Sequence, residues 1–205
     1  QNFFFIKMEE NKIQKIEEKI IKIALEIAKS GEGALFVIGE KVEYERLIKK
    51  RFTNLNVFEE SAEKILKGLA VIDGAMIIDK EGNLVDYGAL IKKTSAFTGF
   101  GTRHAAAITA SKNENISIMA SEEERKVKIF KDGKYIMQID ALQKNVEKET
   151  PVVTKILEST GAGVIGTIGT VALAPTLGLT LIPGIILFGG SYLAIKSLIE
   201  KHRGK

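Results

Sequence analysis

Three short segments of this 205-residue chain bring together residue types that can do chemistry. In Val71-Ile72-Asp73-Gly74-Ala75-Met76-Ile77-Ile78 a carboxylate interrupts an apolar run. Burying it is costly unless a cation, a metal or a ligand meets it. Gly74 lets a backbone or a ligand approach closely. A bulge in which Asp73 accepts backbone N–H groups would use the same residues. In Gly99-Phe100-Gly101-Thr102-Arg103-His104-Ala105-Ala106-Ala107 a flexible turn opens onto a helix start that carries a hydroxyl, a guanidinium and an imidazole. Free N–H groups and the helix dipole favour an anion there. Arg103 can grip a phosphate through two parallel hydrogen bonds, and His104 can donate to another oxygen. The plainer alternative is a capped helix with Arg103 salt-bridged and His104 packed. In Met119-Ala120-Ser121-Glu122-Glu123-Glu124 a hydroxyl and three carboxylates follow an apolar stretch. Such oxygens suit a hard divalent cation or a phosphate at a sheet edge, and equally suit a solvated turn.

Elements must exist to hold these segments. Ile13, Ile16, Ile20, Ile23 and Ile27 recur at helical spacing, so Asn11–Ser30 is predicted helical, with Gly31 as its stop. Ala34–Ile38 is almost wholly apolar, as a strand covered on both faces requires. Val42–Lys50 and Glu59–Gly68 are predicted helical. Ala70–Ile78 reads as a buried strand broken at Asp73-Gly74, and Leu84–Tyr87 as its antiparallel return. Thr102–Ser111 is predicted helical with Thr102 as cap, and Ile116–Ala120 is a further buried strand. Val127–Phe130 and Tyr135–Ile139 flank Asp132-Gly133, a hairpin signal. Ala141–Glu149 and the tail are predicted helical. The fold class is therefore α/β, a mixed central sheet flanked by helices, with a Gly-rich apolar C-terminal segment.

Composition narrows the function. The chain has no cysteine and two histidines, His104 and His202, which exclude thiol catalysis and a cysteine zinc site and disfavour a multi-histidine metal centre. A net charge of +4 suits a small polyanion such as a nucleotide, but not duplex nucleic acid. Tryptophan is absent and aromatics are 7%, so a base-stacking platform is poorly supported.

At the ends, residues 1–7 (QNFFFIK) precede Met8 and are expected to be a cloning residue or a processed leader. Residues 8–150 are expected to form the main domain and 151–205 an apolar, Gly-rich extension. Ser159–Ile195 holds 37 residues without a single charged or histidine side chain. Pro175 and Pro183 divide it into pieces short for membrane spans, so burial in the fold or in an oligomer interface is favoured over lipid contact. The expected location is cytoplasmic, with membrane association through 159–195 as the alternative. Gly161-Ala162-Gly163-Val164-Ile165-Gly166 matches a dinucleotide-binding fingerprint. It is set aside, because no strand precedes it and no acidic residue follows before Glu200.

Gly33-Ala34-Leu35-Phe36-Val37-Ile38, Asp73-Gly74-Ala75, Gly101-Thr102-Arg103-His104-Ala105-Ala106 and Ser121-Glu122-Glu123, in that order, resemble the diadenylate cyclase family, which makes cyclic di-AMP from two ATP molecules. The resemblance covers roughly Ile16–Ile139, and the Lys- and Ile-rich composition is most similar to the archaeal branch. It implies catalytic roles for Asp73, Gly74, Ala75, Arg103 and His104. It implies ATP contacts from Gly74, Tyr87, Gly88, Leu90, Gly101, Thr102, Arg103, His104 and Ser121. It implies Mn²⁺ or Mg²⁺ held by Asp73 with Glu122 or Glu123. It implies a homodimer or larger homo-oligomer in which each 3′-hydroxyl attacks the α-phosphate of the other ATP. Two residues depart from the family pattern. Ala105 stands where the family has a second arginine, and Ile72 where it often has histidine. Lys92 or Lys93 is expected to supply the missing charge. A nucleotide-binding sensor that has lost catalysis is the alternative reading, and a membrane-associated scaffold a third.

Overall fold

The computed structural model describes residues 2–49, 52, 54–94, 101–159 and 184–187. The first helix, α1, runs Asn2–Ser30 and stops at Gly31, whose φ of +77° is the left-handed turn that glycine allows. Its isoleucine stripe is buried, with Ile16, Ile20, Ile21 and Ile27 fully covered. Then follow β1 (Ala34–Ile38), β2 (Tyr44–Arg46), α2 (Ala62–Ala70), β3 (Ala75–Ile78) and β4 (Leu84–Ile91). After them come α3 (Thr102–Ala110), β5 (Ile116–Ser121), β6 (Lys126–Lys131), β7 (Lys134–Asp140), α4 (Thr150–Ser159) and β8 (Ile185–Leu187).

The described strands form one sheet of eight in the order β2-β4-β3-β1-β5-β6-β7-β8. Only β1 and β3 pair in parallel; every other neighbouring pair is antiparallel. The larger core joins α1, α2 and α4 to one face through Phe36, Met76, Ile118 and Ile129. A smaller core joins α3 to the other face through Leu35, Val37, Ile77, Met119 and Phe130. Both faces of β1 are thus covered, which is why all five of its residues are buried and apolar.

Four elements differ from the sequence reading. Val42–Lys50 is predicted helical, but the described residues 42–49 form no helix: Tyr44–Arg46 extends along β4, where Arg46 Nε donates to Asp86 Oδ2 at 2.9 Å. The unpaired edge of β4 outweighs the helix-forming glutamates and lysines of that stretch. Ala70 and the residues up to Gly74 are not strand. Helix α2 runs through Ala70, and a turn delivers the chain to Ala75. Ala141–Glu149 is mostly turn, with a short 3₁₀ segment at Val146–Glu149 before α4. In the tail, Ile185–Leu187 adds a strand to β7 where helix was expected. The Asp132-Gly133 hairpin forms as read, both residues having positive φ. Gly161–Gly166, and Ser159–Ile195 apart from Ser159 and residues 184–187, lie outside the described residues, as do Gly99 and Phe100. Among the described residues no helix is long and apolar enough to cross a membrane.

Candidate nucleotide site

Strand register decides which of the candidate segments meet. Phe36 pairs with Met76 in parallel, so Gly33, just before β1, and Asp73, just before β3, lie at the same end of the sheet. Ala34 pairs with Ala120 in antiparallel fashion, which brings Ser121 to that end as well. Ala75 pairs with Ala89, which brings Leu90 there too. Helix α3 then lays Arg103 across Gly33: a side chain begun at Gly33 would have its first carbon 2.8 Å from the guanidinium carbon. Residues of all four sequence motifs therefore gather along one edge.

Asp73 is exposed, and its Oδ1 accepts only the neighbouring Gly74 N–H at 3.0 Å among the described hydrogen bonds. Gly74 adopts φ +99°, and a methyl there would lie 2.6 Å from the backbone carbon of Gly88. The close packing of Gly74 on Gly88 turns the chain so that Asp73 projects outward while Ala75 enters the sheet. Ala75 is buried in the smaller core. Leu90 is 51% exposed. Tyr87 is placed differently from the sequence reading. Its ring lies in the larger core at 7% exposure and its hydroxyl accepts the Phe52 N–H at 3.2 Å. Strict alternation would set Tyr87 beside Ala89 and Ile91 on the face that carries α3. The register shift between β3 and β4 and the left-handed Gly88 break that alternation, and the Tyr87 side chain is spent on packing in the larger core.

Gly101, not Thr102, caps α3, with extended backbone and no side-chain cap bond. Gly101 and Thr102 are exposed and Arg103 is half-buried. His104 lies deeper, its ring edge-on to Phe130 with centroids 6.4 Å apart. Its Nε2 is 3.0 Å from the ammonium of Lys128. Burial first, and then the positive charges of Lys128 and Arg103, push the imidazole down to about 4 against the opposing pull of Glu124. His104 is thus neutral at pH 7.

The acidic turn also divides its work in a way the sequence did not show. Ser121 is nearly covered, its hydroxyl accepting the Glu124 N–H at 3.4 Å within the turn. Glu122 and Glu123 are exposed. Glu124 instead folds back onto Lys128, with which it forms a short ion pair. Burial raises its affinity for a proton, but the hydrogen bond and charge of Lys128 more than offset this and hold it below the usual carboxylate range. Arg125 anchors the turn by donating to the Lys29 carbonyl at 2.7 Å, at the end of α1. Lys93, one of the two expected substitute cations, is engaged by Glu43 at 2.7 Å. Lys92 donates its backbone N–H to the Glu43 carbonyl.

The expected metal set is not assembled. No group of three carboxylate or imidazole side chains able to hold an ion occurs among the described residues. Glu122 and Glu123 are exposed on the turn after β5. Asp73 is an exposed carboxylate that would hold a Mg²⁺ or Mn²⁺ ion only as one ligand among others not supplied by a cluster of described side chains.

Residues 22–135, more than half of the chain, match the family model DAC, described as DisA bacterial checkpoint controller nucleotide-binding. The chain belongs to the DAC family. Two curated relatives carry the name diadenylate cyclase. The one from Methanocaldococcus jannaschii is 33% identical over 138 residues, covering 60% of this DAC chain and 45% of that protein. The one from Haloferax volcanii is 29% identical over 139 residues, covering 59% and 51% respectively. This DAC chain spans about half the length of the curated relatives it matches. Among solved structures, DacA from Staphylococcus aureus, crystallised as a double mutant, covers 75% of this chain and 97% of its own at 20% identity and a TM-score of 0.48. The matched segment of the DAC chain contains all the residues gathered at the sheet edge.

Proposed function

We propose that this chain is the catalytic part of a diadenylate cyclase, condensing two ATP molecules into cyclic di-AMP and two pyrophosphates. The single observation that supports it best is that the Asp73 turn lies at the end of β1 and β3 where Arg103 packs against Gly33. In this reading each subunit holds one ATP, and two copies face each other. Each 3′-oxygen gives up its proton to solvent and forms a bond to the partner nucleotide's α-phosphorus. The bond from that phosphorus to the bridging oxygen breaks, and pyrophosphate departs. Such a reaction needs in-line positioning and neutralised charge more than covalent help from the protein.

Arg103 grips triphosphate oxygens, assisted by the N–H groups of the helix start. Asp73 orients the 3′-hydroxyl as a hydrogen-bond acceptor. The exposed Leu90 and the backbone at Gly88 offer surface to the adenine. A Mg²⁺ or Mn²⁺ ion carried on the nucleotide would supply additional charge neutralisation. The alternative, a nucleotide sensor without turnover, is favoured by one feature, the uncharged and buried Ala105 in the helix start.

Incubating the purified chain with ATP and Mn²⁺ or Mg²⁺, followed by mass analysis, decides between them. Cyclic di-AMP and pyrophosphate are expected, and the Asp73→Asn variant is expected to abolish them at unchanged thermal stability. ATP binding without product under either metal would establish the sensor reading. Full turnover by Asp73→Asn would remove Asp73 from the mechanism.

A further inference from the structure

Strand β6 carries a lysine in a place where lysines are seldom found. Lys128 pairs with Met119 across β5 and so points to the face occupied by α3, at 5% exposure. Phe130, two residues on, points the same way and holds the edge of the His104 ring. The Lys128 ammonium then meets His104 Nε2 on one side and the Glu124 carboxylate on the other. A buried cation is retained when it is paired and hydrogen-bonded, and here both conditions are met by residues of the candidate site.

Donor arithmetic gives this contact a consequence. An ammonium has three N–H donors and no acceptor, and Lys128 gives one of them to Glu124. At 3.0 Å, His104 Nε2 must therefore be the acceptor and carry no proton. In a neutral imidazole the proton then sits on Nδ1, because the partner of one ring nitrogen sets the state of the other. We infer that Lys128, held by Glu124, is a positioning residue for His104: it fixes the Nδ1–H tautomer, so that the imidazole donates from Nδ1 and accepts at Nε2. The inference rests on the nucleotide-site reading for its purpose, but not for its geometry.

The test reads the tautomer without requiring activity. The chain is labelled with ¹⁵N-histidine, and His202, the second of its two histidines, is replaced by His202→Gln. Two-bond nitrogen–proton couplings at pH 7 then report His104 alone. Nδ1–H is expected in the otherwise unaltered chain, retained in Lys128→Arg, and lost as the dominant form in Lys128→Met. An Nε2–H tautomer in the unaltered chain overturns the inference even if no variant folds. So does an unchanged tautomer in a folded Lys128→Met protein. With ATP, Lys128→Met is expected to lower kcat/KM about 10-fold, mostly in kcat, with Lys128→Arg restoring most of it. A pure rise in KM with the tautomer intact would mean that Lys128 binds phosphate directly, and would also overturn it. A chain that makes no cyclic di-AMP but shows the expected tautomers sinks the cyclase reading alone.

Discussion

The guanidinium of Arg103 lies against the backbone of Gly33, across the boundary between α3 and β1. An ideal first side-chain carbon at Gly33 would be 2.8 Å from Arg103 Cζ and 3.3 Å from Nη2. Glycine at 33 is thus space reserved for a cation rather than a requirement of backbone geometry.

That distinction can be tested. The obstruction in Gly33→Ala is the far end of a flexible side chain, which can swing aside. The melting transition is expected to move little, within about 0.5 kcal/mol of stability. If Arg103 grips the triphosphate, its displacement should raise the KM for ATP by roughly 10-fold. A destabilised protein with unchanged KM would show that Gly33 serves the fold alone.

Gly74 makes the opposite demand. Its φ of +99° and the Gly88 carbon 2.6 Å away leave no room that a side-chain motion could provide. Gly74→Ala is expected to cost about 2–4 kcal/mol in chemical denaturation and to lose turnover with it. Gly88→Ala should cost less. Its φ of +62° lies in the left-handed helical region, and its nearest neighbour is the side-chain tip of Ile48 at 3.0 Å.

Glu17 is 2% exposed beneath α4, and its Oε2 has no hydrogen-bond partner among the described residues. Burial pushes its carboxyl up from 4.5 to about 8, against the pull of Lys131. Because the folded state holds the proton more tightly, this contribution to stability is complete below pH 4.5 and is lost as pH rises through about 8. Glu17→Gln should match the parent chain near pH 4 and exceed it above pH 8 by on the order of 1–3 kcal/mol. Equal denaturation curves at both pH values would refute the assignment.

His104 runs the other way. Its pKa falls from 6.5 to about 4, so the unfolded chain binds the proton more readily. The contribution is complete above pH 6.5 and is lost as pH falls to about 4. Over that window the parent chain should lose stability relative to His104→Gln, and the imidazole signal in proton NMR should titrate near 4. A midpoint near 6.5 would mean that the ring is not enclosed as described.

Local sequence determined much of this protein. The isoleucine stripe of α1, the apolar run of β1 and the Asp132-Gly133 turn each carry their structure within a few residues, because helical spacing, two-sided burial and left-handed turns are local demands. The motif order that placed the chain near the DAC family is local in the same sense. The sequence misread Tyr44–Arg46, whose strand exists only because the edge of β4 offers hydrogen bonds from residues far along the chain. It singled out Glu122 and Glu123, whereas Glu124 is the carboxylate of that turn that pairs with Lys128, four residues on in β6. It could not find Lys128. The lysine and His104 are 24 residues apart and share no periodic pattern. Only the antiparallel register of β5 and β6, with α3 packed across them, sets the ammonium against the imidazole. Contact between side chains on different elements is a property of register and packing, and these are settled when the sheet closes.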